Sequence, residues 1–138
     1  MYQLDKPAAL AKLRSLDENT KGHLADAITN IYISEKDKSQ LPFIANHVLK
    51  GMFLTSDVRI QNMYTEAFKW IAESDNVQAI NNITDDFVTL GNQYKKYNFD
   101  KMAVNMLNQI IQLQNQSSGD HKEEILVILK TGLANLME

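Results

Sequence analysis

Helix breakers are scarce in this chain, and that scarcity limits the fold more than any other feature. Two prolines and five glycines are spread over 138 residues. Between them, apolar residues recur at spacings of three and four, the period of one face of an α-helix. Pro7 sits where a first turn begins, a position that tolerates a missing N–H, and Leu10, Leu13 and Leu16 follow at intervals of three. Asp17-Glu18-Asn19-Thr20 reads as a turn, and a second helix carries Leu24, Ala27, Ile28 and Ile31 on one face. The polar run Glu35-Lys36-Asp37-Lys38-Ser39 then leads to a third helix that starts at Pro42, carries Phe43, Ile44, Val48 and Leu49, and ends at Gly51.

The same reading continues to the end of the chain. Thr55-Ser56-Asp57 offers cap oxygens for a fourth helix whose core stripe is Ile60, Met63, Tyr64, Ala67, Phe68 and Ile71. Asp75 and Gln78 resemble a capping box ahead of a fifth helix with Val77, Ile80, Ile83, Phe87 and Leu90, closing near Gly91. Asn98 or Asp100 caps a sixth, with Ala103, Met106, Leu107, Ile110 and Leu113 inward. After the break Ser117-Ser118-Gly119, Asp120 and Glu123 repeat the capping-box pattern before a last helix with Ile125, Leu126, Leu129, Leu133 and Leu136. The expectation is an all-α fold of about seven helices in one domain spanning 1–138. Two successive hairpins, about 20–50 and 56–91, have similar lengths, so the antiparallel pairs are expected to form a short α-solenoid of the HEAT or armadillo kind rather than a closed bundle.

Composition removes several functional classes. The apolar fraction of 44% and charged fraction of 22% are those of an ordinary globular domain. A chain of this length buries about two-thirds of its unfolded surface without metal or disulfide help. Fourteen basic against seventeen acidic residues give a net charge of −3, which does not favour capture of nucleic acid by counterion release. The one local basic cluster, Lys95, Lys96 and Lys101, reads as a solvated helix end. With no cysteine, zinc-thiolate sites, disulfides and thiol catalysis are excluded. No apolar run approaches the ~20 residues of a membrane span.

The chemistry-bearing residues do not converge on a site. The histidines are His23, His47 and His121; His23 with Asp26, and His121 with Glu124, lie three apart, but no H-E-x-x-H spacing is present. The carboxylate pairs Asp17-Glu18, Asp85-Asp86 and Glu123-Glu124 are sequence neighbours, which point about 100° apart on a helix. Asp120, Glu123 and Glu124 are explained by a helix start, where negative charge is favoured. Phosphate-binding glycine loops and a G-x-S-x-G elbow are absent. Trp70, Tyr64 and Phe68, and Met63, Met102 and Met106, read as core and gap-filling residues. The sixth helix is rich in amides, at Asn105, Asn108, Gln109, Gln112, Gln114, Asn115 and Gln116. Amides donate and accept without charge, as a peptide backbone requires, although a solvated neutral face explains them as well. The expectation is therefore no catalytic, cofactor-binding or metal-ligating residue in this chain.

The order of segments carries a resemblance. Leu24-Ala25-Asp26-Ala27-Ile28-Thr29-Asn30-Ile31-Tyr32-Ile33-Ser34 passes through a charged turn into Leu41-Pro42-Phe43-Ile44, and Tyr94-Lys95-Lys96-Tyr97 precedes a helix ending in Ile110-Ile111-Gln112. This order, over most of residues 6–138, resembles the C-terminal helical region of bacterial aminopeptidase-N-like zinc aminopeptidases. The resemblance implies a C-terminal piece of a larger metallopeptidase whose zinc is held by H-E-x-x-H and a distal Glu, with G-x-M-E-N for the substrate amino terminus. None of these motifs occurs here. The implied role is non-catalytic: packing on the parent's catalytic domain and walling the substrate chamber, with peptide contacted only at its periphery. No nucleic-acid or membrane-inserting partner is implied. The open alternative is a stand-alone α-solenoid that binds a peptide or partner helix.

Overall fold

A computed structural model describes Ala25, residues 27–29, residues 39–53 and residues 58–137. Among these residues the chain is all-helical and has no strand; six α-helices and one 3₁₀ turn have both their bounds described. The helices are α1 (Leu41–Ala45), α2 (Val48–Phe53), α3 (Val58–Glu73), α4 (Val77–Gln93), α5 (Phe99–Asn115) and α6 (Lys122–Met137). The 3₁₀ turn, Lys95–Tyr97, joins α4 to α5. The helix expected at residues 7–16 lies outside the described residues, as do Leu24 and Ile31 of the second. Ala25, Ala27, Ile28 and Thr29 are helical, with Ala27 and Ile28 buried.

α4, α5 and α6 each pack on the other two, α4 with α6 most extensively. α4 also packs along α1, and α3 packs on α2 and α5. The apolar core lies among these helices. Phe87 and Phe99 are fully buried there, with Leu41, Ile44, Leu49, Ile71, Ile80 and Leu107. The rings meet edge-on, Phe68 against Phe87 at 6.2 Å and Phe53 against Phe99 at 5.7 Å between centroids. Such geometry sets the positive ring edge on the negative face. No helix among the described residues is long and apolar enough to cross a membrane.

The third helix of the sequence reading is two helices. Asn46 and His47 form a tight turn, with His47 N–H donating to Ile44 O at 2.9 Å, and the chain restarts at Val48. Gly51 does not end a helix; it lies within α2, where a Cβ would collide with the Tyr64 ring. The small residue lets α2 lie against α3 on the face of that ring, whose hydroxyl is pushed up to about 12 by burial.

The caps also differ from expectation. Asn76, not Asp75, caps α4: its Oδ1 accepts from Ala79 N–H at 3.0 Å, while Gln78 Nε2 donates to Asn82 Oδ1 at 2.8 Å. Asn98 precedes α5 without a side-chain capping bond and adopts a left-handed backbone, φ 64°, a conformation asparagine tolerates better than most residues. Helix α6 starts at Lys122, so His121 rather than Asp120 stands before it. The putting-away of the α5 stripe changes too, since Leu113 is 43% exposed and Gln114 is buried in its place. The proposed capping oxygens at residues 55–57 lie outside the described residues.

Candidate functional site

Two polar features stand out from the helical framework: a groove along the seam of α4 and α6, and a hydrogen-bonded corner where two inter-helix turns meet. The groove has a volume of about 430 Å³ and opens to solvent. Its α4 bank carries Asn81, Asp85 and Thr89, and its α6 bank carries Val127, Thr131 and Asn135. Each set is spaced i, i+4, i+8, so each lies along one face of its helix. Thr84, Val88, Ile128 and Gly132 form the floor. Gly132 is buried, and a Cβ there would run into the Thr84 methyl. The absent side chain lets α6 approach α4 while keeping the floor low. The hydroxyls of Thr84 and Thr131 donate back to Ile80 O and Val127 O, at 2.7 and 2.8 Å, and keep lone pairs for a ligand. Among the described residues, Asp85 is the only charged one in the lining.

The corner joins the turns at residues 74–76 and 117–121. Gln114 reaches out of α5 and donates from Nε2 to Ala72 O at 2.8 Å and Ser74 O at 3.0 Å, satisfying carbonyls at the end of α3 that have no helical partner. Asp75 accepts from His121 N–H at 3.0 Å through Oδ1 and contacts His121 Nδ1 at 2.8 Å through Oδ2. This hydrogen bond holds the Asp75 carboxyl below its usual range and raises the His121 imidazole above its own. Gly119 completes the contact, because a Cβ would press on the Asp75 carboxylate.

The residues singled out in the sequence are dispersed. His121 and Glu124 stay near one another, but the partner of His121 is Asp75, from a turn distant in sequence. His47 stands on the α1–α2 turn, edge-on to Phe43, with its pKa lowered first by burial and then by Lys50. His23, Asp26, Asp17 and Glu18 lie outside the described residues. Asp85 faces the groove and is exposed, whereas Asp86 is half-buried; Glu123 and Glu124 are exposed in the first turn of α6. Among the described residues no group of three or more histidine, aspartate or glutamate side chains is placed to hold a metal ion. Tyr64 is buried in the core, and Phe68, Trp70, Met63, Met102 and Met106 pack against it. Lys95, Lys96 and Lys101 are exposed, with the Lys96 ammonium 5.7 Å from the Tyr97 ring centre. Six of the seven α5 amides, at Asn105, Asn108, Gln109, Gln112, Asn115 and Gln116, are exposed; the seventh, Gln114, is the corner's donor.

The groove was not foreseen from the sequence. Its signal is the matching i, i+4, i+8 sets on two helices, which become meaningful only once the two helices are known to be neighbours. Compared with known proteins, the chain matches no family model, no curated protein and no solved structure.

Proposed function

We propose that this chain is a non-catalytic helical domain of a zinc aminopeptidase, seated on the catalytic domain and forming part of the wall of its substrate chamber. The order of segments from Leu24 to Ile44 and from Tyr94 to Gln112 carries the reading. In this role the chain supplies shape, and zinc activation of water belongs to a catalytic domain bearing H-E-x-x-H. The wall acts by excluding bulky or folded chains and by touching the distal part of a bound peptide.

The test has two parts. The coding region upstream, in the same frame, is expected to encode H-E-x-x-H with a distal glutamate. The purified chain is expected to give no chelator-sensitive release of chromophore from aminoacyl substrates, and such turnover would falsify the assignment of catalysis to another domain. A second reading, an independent peptide-binding helical module, is favoured by the α4–α6 groove. A reading frame lacking any peptidase motif, together with peptide binding by the chain alone, decides for it.

A further inference from the structure

We propose that the α4–α6 groove is a docking site for an extended peptide segment that places a lysine or arginine side chain over Asp85. The proposal stands on the groove and requires no peptidase parent. Each bank runs from i to i+8, a length of about 12 Å on a helix, which matches three to four residues of extended chain at about 3.3 Å each. An extended peptide exposes alternating N–H and C=O groups along its edges. The banks meet them with amides at Asn81 and Asn135 and the Thr89 hydroxyl, which donate and accept without carrying charge, and with the Thr131 hydroxyl oxygen, which accepts while its proton is held by Val127 O. Such a surface binds backbone without the cost of stripping water from several ions.

The charge distribution selects the side chain. Asp85 stands between Asn81 and Thr89 on the α4 bank, and among the described residues none in the lining is basic. A cationic group over Asp85 gains a charge-assisted bond, and the methylene stem of a lysine or arginine lies on the apolar floor of Val88 and Ile128. An acidic peptide or a nucleic-acid phosphate meets only repulsion there. A partner helix is a poor fit, since it needs a broad continuous apolar face and here Asn81, Asp85, Thr89, Thr131 and Asn135 interrupt the apolar lining along both banks. Val127, 64% exposed at the edge of the groove, offers contact to an apolar neighbour of the cationic residue.

The experiment titrates the isotope-labelled 138-residue chain with an acetylated and amidated Ala-Thr-Lys-Thr-Ala peptide, followed by backbone amide NMR. Parallel titrations use the same peptide with norleucine or glutamate in place of lysine. The lysine peptide is expected to shift amides at Asn81, Asp85, Thr89, Thr131 and Asn135 and to bind more tightly than the norleucine peptide, with the glutamate peptide weakest. Asp85→Asn, an exposed substitution, should cut affinity for the lysine peptide about fivefold, the upper range for an exposed ion pair, and leave the norleucine peptide unaffected. Thr131→Trp should block both, while Glu73→Gln, outside the groove, should change neither. The idea fails if the groove amides stay still at about 10 mM peptide, or if Asp85→Asn weakens both peptides equally. Groove shifts that depend on protein concentration without peptide would assign the groove to a second copy and also overturn it. None of these outcomes bears on the upstream reading frame, so the two proposals fail separately.

Discussion

The α4–α6 groove and the corner between the turns at 74–76 and 117–121 use the same kinds of residue to opposite ends. Both combine side-chain amide with one glycine and one aspartate. At the corner the donors are taken up: Nε2 of Gln114, a side chain 1% exposed, spans two carbonyls of the α3 terminus, and Asp75 is engaged through both oxygens. Along the groove the helices supply their own main-chain bonds, so the side chains on the banks are left facing solvent. Helix ends leave main-chain groups in need of partners, and helix middles do not. Polar side chains near ends are therefore drawn into structure, and those along mid-helix seams stay available for ligands. Glycine follows the same division, since Gly119 admits a carboxylate and Gly132 admits a neighbouring helix.

The comparison breaks most visibly at Gln114. Gln114→Ala removes two hydrogen bonds, leaves the carbonyls of Ala72 and Ser74 without this donor and opens a void. A loss of about 2–4 kcal/mol is expected. In urea unfolding this should appear as a lowered midpoint at unchanged slope. Gln114→Met also removes the donated bonds and the buried Oε1, which has no partner among the described residues, but it keeps the volume. It should therefore cost less than the alanine substitution. Equal costs would mean that the donated bonds alone, and not packing, make the corner.

The seam should yield a smaller effect whose sign depends on its neighbour. Gly132→Ala gains about 1 kcal/mol of helix propensity but drives a methyl into Thr84, which is held by its bond to Ile80 O. Overpacking costs about 1–3 kcal/mol, so a net loss of about 1 kcal/mol is expected. In a Thr84→Ser background the obstructing methyl is gone, and the same substitution should stabilise by about 1 kcal/mol. This reversal, measured as a double-mutant cycle, would show that Gly132 serves the close approach of α4 and α6. Destabilisation of the same size in both backgrounds would remove that explanation.

The helices were legible in the sequence and the polar features were not, for a physical reason. Periodicity reports which face of a helix is apolar, so Ile80, Ile83, Phe87 and Leu90 on α4, and Ala103, Leu107 and Ile110 on α5, are buried as the spacing predicts. It does not report which helix lies opposite. The pairing of Asp75 with His121 spans 46 residues, and that of Gln114 with Ala72 spans 42; no local spacing encodes either. Local chemistry misleads for the same reason. Asp75 and Gln78 have capping-box spacing, yet Asp75 is taken by a distant turn and Asn76 caps α4 instead. Gly51 reads as a helix end because the sequence cannot show the Tyr64 ring that occupies its missing side chain's place. The groove is legible only in retrospect, because its two banks belong to helices separated by the whole of α5.

The smallest expected effect concerns pH, and it sets the corner's exposed edge against the half-buried His47. His121 has its pKa raised by Asp75, so its contribution is complete below the ordinary histidine value of 6.5 and is lost as pH rises through the raised folded value. Asp75 has its pKa lowered by His121, so its contribution is present above the ordinary value of 3.8 and is lost as pH falls through the lowered folded value. The pair therefore stabilises most between pH 3.8 and 6.5. His47 runs the other way: burial favours its neutral form, so the fold loses stability as pH falls below 6.5 toward the lowered value. Thermal midpoints of the chain and of His121→Ala should differ most inside that window and converge above it. For His47→Phe the difference from the parent chain should instead shift in the variant's favour as pH falls, because the variant has no imidazole to protonate. Both side chains at the corner's edge are partly exposed, at 54% for His121 and 37% for Asp75, so added salt should shrink the His121 difference. A His121→Ala difference that stays constant from pH 4 to 8 would mean that only the backbone bond from His121 N–H to Asp75 Oδ1 holds the two turns together.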